Sequence, residues 1–290
     1  MSGFIKGVCK TDDKVHSKVG ECSMFEGTPY GLIFHDKNKT FSVDETAFNT
    51  EIKAAIIALG ISRVTPLMGV LTDYQLTGGD VKTNQEGFGM EVPIGINAKR
   101  VDYIINVGGL CLLKQLKKFN GRAVRIFQVD DKKVAYGTVI NQDGEKFRGF
   151  LGTVYVTKRD NTGTQNPAII LSIFYSADYE NEETNMAALA LSEAYEGLTG
   201  VILRKTATGR AKFVIACSGD DLTQTYGASL AVASLYKDQT GNPPTSVTYS
   251  TTTEDLQFTP VGSYAIADAV VLDAATIEGY EGENEYVDLA

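Results

Sequence analysis

The sequence predicts a mainly β fold of the α+β class, and three observations carry that expectation. The first is composition: with 29 glycines, 7 prolines, no tryptophan and abundant threonine, valine and isoleucine, the chain suits strands joined by tight turns. The second is that helical periodicity is confined to a few short stretches. The third is a layout that occurs twice, about 75 to 80 residues apart. An amphipathic segment (Leu110, Leu113, Leu116, Phe119), Asn120-Gly121, a hairpin and the loop Lys158-Arg-Asp-Asn-Thr-Gly-Thr-Gln-Asn-Pro167 lead to a strand ending Phe174-Tyr175-Ser176. From about Met186, an Ala/Leu-rich segment ending at Leu198 and read as a second helix, Thr199-Gly200, a hairpin and the loop Lys237-Asp-Gln-Thr-Gly-Asn-Pro243 lead to a strand ending Thr248-Tyr249-Ser250. Shared order at a fixed offset marks a duplicated unit. Each copy is small for an independent core, so the two are expected to pack together or against copies in other chains.

The elements follow in order. Residues 1–40 read as an N-terminal arm, polar and glycine-punctuated, with a short strand at Gly31–Phe34. Ser42 and Glu45 form an S-x-x-E capping box. The helix it starts carries Ala47, Phe48, Ile52, Ala55, Ile56 and Leu59 on one face and stops at Gly60. Arg63–Leu76 reads as a strand, followed by a glycine-bearing loop near 78–89. Strands are expected at Met90–Ile96, Arg100–Val107, Arg122–Val129, Lys133–Ile140, Phe150–Thr157 and Ala168–Tyr175. Asp178–Asn185 is a polar linker. The second unit follows with strands at Val201–Thr206, Arg210–Ala216, Leu230–Tyr236, Ser246–Ser250, Leu256–Val261 and Tyr264–Leu272. The resulting division is an arm (1–40), a first domain (41–178), a second (179–272) and an acidic tail (273–290).

Charge placement narrows the function. The formal charge is −9, yet residues 271–290 hold six acids and no base, leaving 30 acids against 27 bases, a balance of −3, for residues 1–270. Clamping of nucleic-acid phosphates is not expected from such a body. No secretory h-region and no apolar run of membrane-spanning length occurs in the sequence, which predicts a soluble protein made in a cytosol. The free tail should be mobile, so a partner or a neighbouring copy is expected to hold it.

The chemistry-bearing residues form no catalytic pattern. GxSxG, HExxH, phosphate-loop and dinucleotide signatures are missing, and Gly87-Phe-Gly89 is too short to count. No catalytic residue and no cofactor is assigned, and the expectation is that the chain is not an enzyme. Cys9, His16, Cys22 and His35 are residue types that zinc takes, but their spacing fits no zinc module and the plainer reading is that they hold no metal. Cys111 and Cys217 lie in apolar runs and read as buried thiols. Asp130-Asp131, consecutive in a turn, read as shaping it.

Three groups stand out instead as candidate subunit interfaces. Gly78, Gly79, Asp80, Lys82, Gly87 and Phe88 belong to the extended loop, read as an arm that reaches out from the body. Lys114, Lys117 and Lys118 make a local basic patch, for which a solvated helix face is the plainer reading. Glu281, Glu283 and Glu285 of the tail are a candidate acidic partner for that patch in another copy.

Phe41-Ser-Val-Asp-Glu-Thr-Ala-Phe-Asn49, the stretch from Arg63-Val-Thr-Pro-Leu67 through Gly78-Gly-Asp80, and the two Lys-to-Tyr-Ser units resemble the virion structural proteins of tailed bacteriophages, in texture those of the crAss-like phages that infect Bacteroidota. The resemblance is one of layout over most of the chain. It implies tandem tail-tube-like β-sandwich units with short flanking helices, in copies that form a ring or tube around a channel for DNA. It also implies loops or termini that grip other virion proteins above and below, and localisation in the virion after assembly in the host cytoplasm. Paired units further imply rings of three chains with pseudo-sixfold symmetry. A capsid-decorating or head-tail connector protein, or a surface module that binds glycans, is the alternative.

Overall fold

The computed structural model describes residues 27–86, 89–140, 146–164, 166–179, 182 and 185–290. The fold is mainly β with few short helices, as the composition predicts. It divides into two compact units, the first ending at Tyr195 and the second spanning Glu196–Ala290. The boundary therefore falls later than the expected linker at 178, and the tail belongs to the second unit.

The first unit opens with β1 (Pro29–Asp36), β2 (Phe41–Ser42), helix α1 (Glu45–Ile57) and β3 (Val64–Met68). Next come β4 (Asp73–Thr77), β5 (Val81–Glu86), β6 (Met90–Ile96), β7 (Arg100–Ile105) and helix α2 (Gly109–Leu116). It closes with β8 (Arg122–Asp130), β9 (Val134–Ile140), β10 (Lys146–Arg148), β11 (Phe150–Arg159), β12 (Ala168–Tyr175) and β13 (Met186–Ala190). The main sheet runs β2-β10-β9-β8-β11-β12-β7-β4, with β1 between β3 and β8 and with β13 on β9. Strand β8 is where the sheet forks. One side of it lies along β1 from Val124 to Asp130, while the other pairs with β11 over Arg122–Ile126 and with β9 at Gln128 and Val129. The two branches enclose one core, in which Leu32, Phe34 and Ile126 meet Val154, Leu171 and Ile173 of one branch and Tyr136 and Ala188 of the other.

Alternation along β1 and β8 sends Ile33, His35 and Phe127 to the opposite face from Leu32, Phe34 and Ile126. There Phe127 stacks on Phe147 at 4.8 Å, and Phe48 of α1 meets both rings edge-on at 5.5 and 5.2 Å. Helix α1 forms because Phe48, Ile52, Ala55 and Ile56 share one face, all buried. Burying a side chain as large as Phe48 or Ile52 stabilises the fold by about 1.5–3 kcal/mol. The cap is Asp44 rather than the expected Ser42: its Oδ1 accepts from the Ala47 amide at 2.9 Å, while the Ser42 hydroxyl accepts from the Asp44 amide. The expected N-terminal arm is corrected from residue 29 onward, since β1 is an interior strand; the rest of that arm lies outside the described residues.

The second unit has a five-stranded sheet in the order β17-β18-β15-β14-β20. Its members are β14 (Thr199–Ala207), β15 (Arg210–Ile215), β17 (Ser246–Ser250), β18 (Asp255–Thr259) and β20 (Tyr280–Gly282). A smaller sheet joins β16 (Tyr236–Lys237), β19 (Ser263–Ile266) and β21 (Val287–Asp288). Val201, Leu203, Phe213, Leu256, Phe258 and Leu272 form its own core. Two expected strands are corrected: Leu230–Tyr236 is mostly 3-10 turns, and after β19 the chain forms a short helix, Ala269–Ala274.

The duplication is also corrected, because the halves differ in structure. The Ala/Leu-rich segment read as a second helix contains β13, which pairs with β9 in the first unit. Alanine and leucine favour helices only weakly against tertiary pairing, and the small side chains of Ala187 and Ala188 fit opposite Gly137 and Tyr136. The loop Lys158–Pro167 joins two strands that pair, whereas Lys237–Pro243 joins β16 and β17, which lie in different sheets.

The tail is not loose, which corrects the expectation that a partner holds it. Strand β20 runs parallel to β14, β21 pairs with β19, and Leu289 is fully buried. The Gly209 amide donates to the Leu289 carbonyl at 2.8 Å, and Lys205 Nζ reaches the Ala290 carbonyl. Cys111 and Cys217 are corrected as well: both are disulfide-bonded, Cys111 half-buried and Cys217 exposed. Without reduction neither is expected to take an alkylating label, and reduction should lower stability by about 2–4 kcal/mol. Labelling mass spectrometry and urea unfolding, with and without reductant, check this.

Candidate functional site

The extended loop proves to be a hairpin. Strands β4 and β7 pair from Asp73↔Ile104 to Thr77↔Arg100, and their continuations β5 and β6 pair from Val81↔Ile96 to Glu86↔Met90 as a separate two-stranded sheet. Together they make one ribbon. It kinks at Gly78 and Gly79, with φ of +79° and +80°, a left-handed backbone that glycine adopts without strain. A Cβ on Gly78 would lie 2.0 Å from the Ala98 carbonyl oxygen. Asp80 clamps the bend: its carbonyl accepts from the Asn97 amide at 2.9 Å and its carboxylate from Asn97 Nδ2 at 3.0 Å. Gly78→Ala is therefore expected to cost about 1–3 kcal/mol at the kink. The loss should be local, seen as faster hydrogen exchange at the Gly79 and Asn97 amides with the core amides unchanged.

Beyond the kink the ribbon extends about 20 Å, at roughly 3.3 Å per residue. Its apolar side chains have little to pack on: Val81 is 58% exposed, Ile94 55% and Ile96 45%. At its base, Tyr74 and Leu76 are 49% and 56% exposed on β4, the last strand of its sheet. Such an edge is a template for further pairing. Isolated two-stranded hairpins are marginal in water.

Among the other predicted residues, Lys82 is an exposed member of β5, while Gly87 and Phe88 lie outside the described residues. Lys114 on α2, with Lys117 and Lys118 in the 3-10 turn after it, is exposed. Glu281 lies in β20, and Glu283 and Glu285 are exposed on the strapped-down tail. The sequence gives no hint that these glutamates belong to a segment fixed by backbone pairing.

Cys9, His16 and Cys22 lie outside the described residues, and no cluster of three or more potential ligands occurs among the described ones. His35 is 3% exposed with both ring nitrogens engaged, Nδ1 on the Asp36 carbonyl and Nε2 accepting from the Gly149 amide, each at 3.0 Å. Asp130 shapes its turn, as expected: Oδ1 accepts from the Lys132 and Val134 amides, and Oδ2 from the Tyr136 hydroxyl. No helix among the described residues is long and apolar enough to cross a membrane.

Sequence reasoning missed one buried cluster. Arg125 and Glu182, 57 residues apart, pair at 2.8 Å with side chains only 6% and 9% exposed, and Arg148 stands 3.6 Å from the same carboxylate. No local signal links such distant positions. A search of protein-family models and of curated proteins finds no match to this chain.

Proposed function

We propose that this chain is a non-enzymatic structural subunit that assembles with copies of itself, in the tail or neck of a tailed phage, as rings or a tube around a channel for DNA. The ribbon carries the reading. It is a paired ribbon whose apolar side chains and edge strand are exposed, and a neighbouring copy would cover both. A charge balance near zero outside residues 271–290 is compatible with a wall that DNA passes without being held. The phage setting itself rests on the layout resemblance. Because the two halves differ in structure, the paired-unit argument for three-chain rings no longer supports a stoichiometry.

The reading is tested by replacing Val81, Ile94 and Ile96 together with serine and measuring mass against concentration by light scattering. The expected result is association weakened by a hundredfold or more, about 1 kcal/mol per lost side chain or greater, with unfolding of the body unchanged. Association as tight as that of the native chain would count against it.

A further inference from the structure

A cavity of about 480 Å³ lies against the Arg125–Glu182 pair, lined by Arg125, Arg148, Glu182, Thr138, Ser176 and Asn185 among others. Its volume suits a small ligand. The pairing within it is uneven. Arg125 is held by three bonds, donating to the Lys37 carbonyl at 2.9 Å and to the Gly149 carbonyl and Glu182 Oε1 at 2.8 Å each. Glu182 spends its other oxygen on the Leu151 amide at 2.9 Å. That leaves Arg148 without a counter-ion of its own among the described residues. Its Nη2 is 3.6 Å from Glu182, too far for a hydrogen bond, and its buried Nε has no partner among the described residues.

A buried donor left unmade is destabilising, so the guanidinium is poised to gain from an acceptor. Burial and, after it, the neighbouring Arg125 push the Arg148 pKa down against the pull of Glu182, the direction expected of a cation whose charge Glu182 offsets only in part. Asp178 also lines the cavity, but it is exposed to water, so among the described residues the inner balance is two guanidinium groups against one carboxylate. Arg148 keeps 28% of its side chain exposed, room to turn its Nε edge toward a ligand. Planar two-point donation is the geometry that phosphate and carboxylate oxygens accept.

We propose that this cavity binds a small oxyanion of the phosphate or carboxylate type, with Arg148 as its principal ligand. The proposal goes beyond assembly and stands without it. In the test, the intact chain is titrated with inorganic phosphate and, separately, with acetate, against sodium chloride at matched ionic strength. Binding is read by calorimetry and by the shift in melting temperature. A saturable response to phosphate, to acetate or to both is expected, and which of them binds identifies the class. Arg148→Met should weaken it by about tenfold or more, and Arg148→Lys by less, since lysine keeps the charge and loses the fork. Lys118→Met, on the exposed patch, should leave it unchanged. No saturable response in the native chain, or an equal response in Arg148→Met, overturns the proposal.

Discussion

Removing residues 81–96 and closing the ribbon from Asp80 to Asn97 is expected to abolish self-association while the rest of the chain stays folded. The magnitudes explain why the effect should be complete. Val81, Ile94 and Ile96 lie in the deleted part, and Tyr74 and Leu76 at the base are largely exposed. Each would contribute about 1.5–3 kcal/mol if a neighbouring copy covered it. Association itself costs about 4–15 kcal/mol in lost freedom of motion. Gain and cost are therefore of the same order, and a chain without the outer three side chains would lack the surplus that the proposed contact between copies needs. The body should not notice the loss, because among the described residues β5 and β6 pair only with each other. Sedimentation velocity of the deleted chain checks the first expectation and thermal unfolding the second. Continued assembly would remove the ribbon from the account, and a collapse of the fold would show that the ribbon is part of the body.

The second large effect is a loss of stability in acid that depends on His35. Its ring stacks on Phe127 at 4.9 Å and meets Phe41 edge-on at 5.2 Å. Burial pushes its pKa from 6.5 down to about 3; the Asp36 carbonyl opposes the shift, and the cations Arg125, Lys39 and Arg148 add to it. Above pH 6.5 the ring is neutral in both the folded and the unfolded chain, and the native contacts are undiminished. As pH falls below 6.5 the unfolded chain takes up a proton that the folded one refuses, so stability drops by about 1.4 kcal/mol per pH unit until the folded group titrates near 3. The full effect is roughly 5 kcal/mol, of which about 2 kcal/mol appears between pH 6.5 and 5. Urea unfolding of the native chain and of His35→Gln across that interval isolates it. The carboxylates common to both chains cancel, and the native chain should show the steeper decline. Equal slopes would mean that the imidazole titrates alike in both states.

Legibility from sequence followed the range of the interactions. Helix α1 was readable because Phe48, Ile52, Ala55 and Ile56 recur at helical spacing on its buried face. The hairpin β8–β9 was readable because two apolar runs flank Asp130-Asp131. The ribbon was half readable. Gly78-Gly79-Asp80 announced a reaching segment, but Lys82, Thr83 and Asn84 are polar and concealed that Val81–Glu86 is a strand. Met186–Ala190 misled because its residues favour a helix in isolation and β13 is decided by its pairing with β9. His35 read as a possible ligand because the sequence did not reveal the Gly149 amide, 114 positions away, that occupies its Nε2. The tail misled for the same reason, since its charge is local and its fastening to β14 and β19 is not.

The central claim is self-assembly through exposed strand and ribbon surfaces, and electron microscopy of the purified full-length chain at high concentration tests it most directly. The account predicts closed rings or tubes, with the ribbon of one copy lying against the next. A field of single chains at every concentration would contradict it.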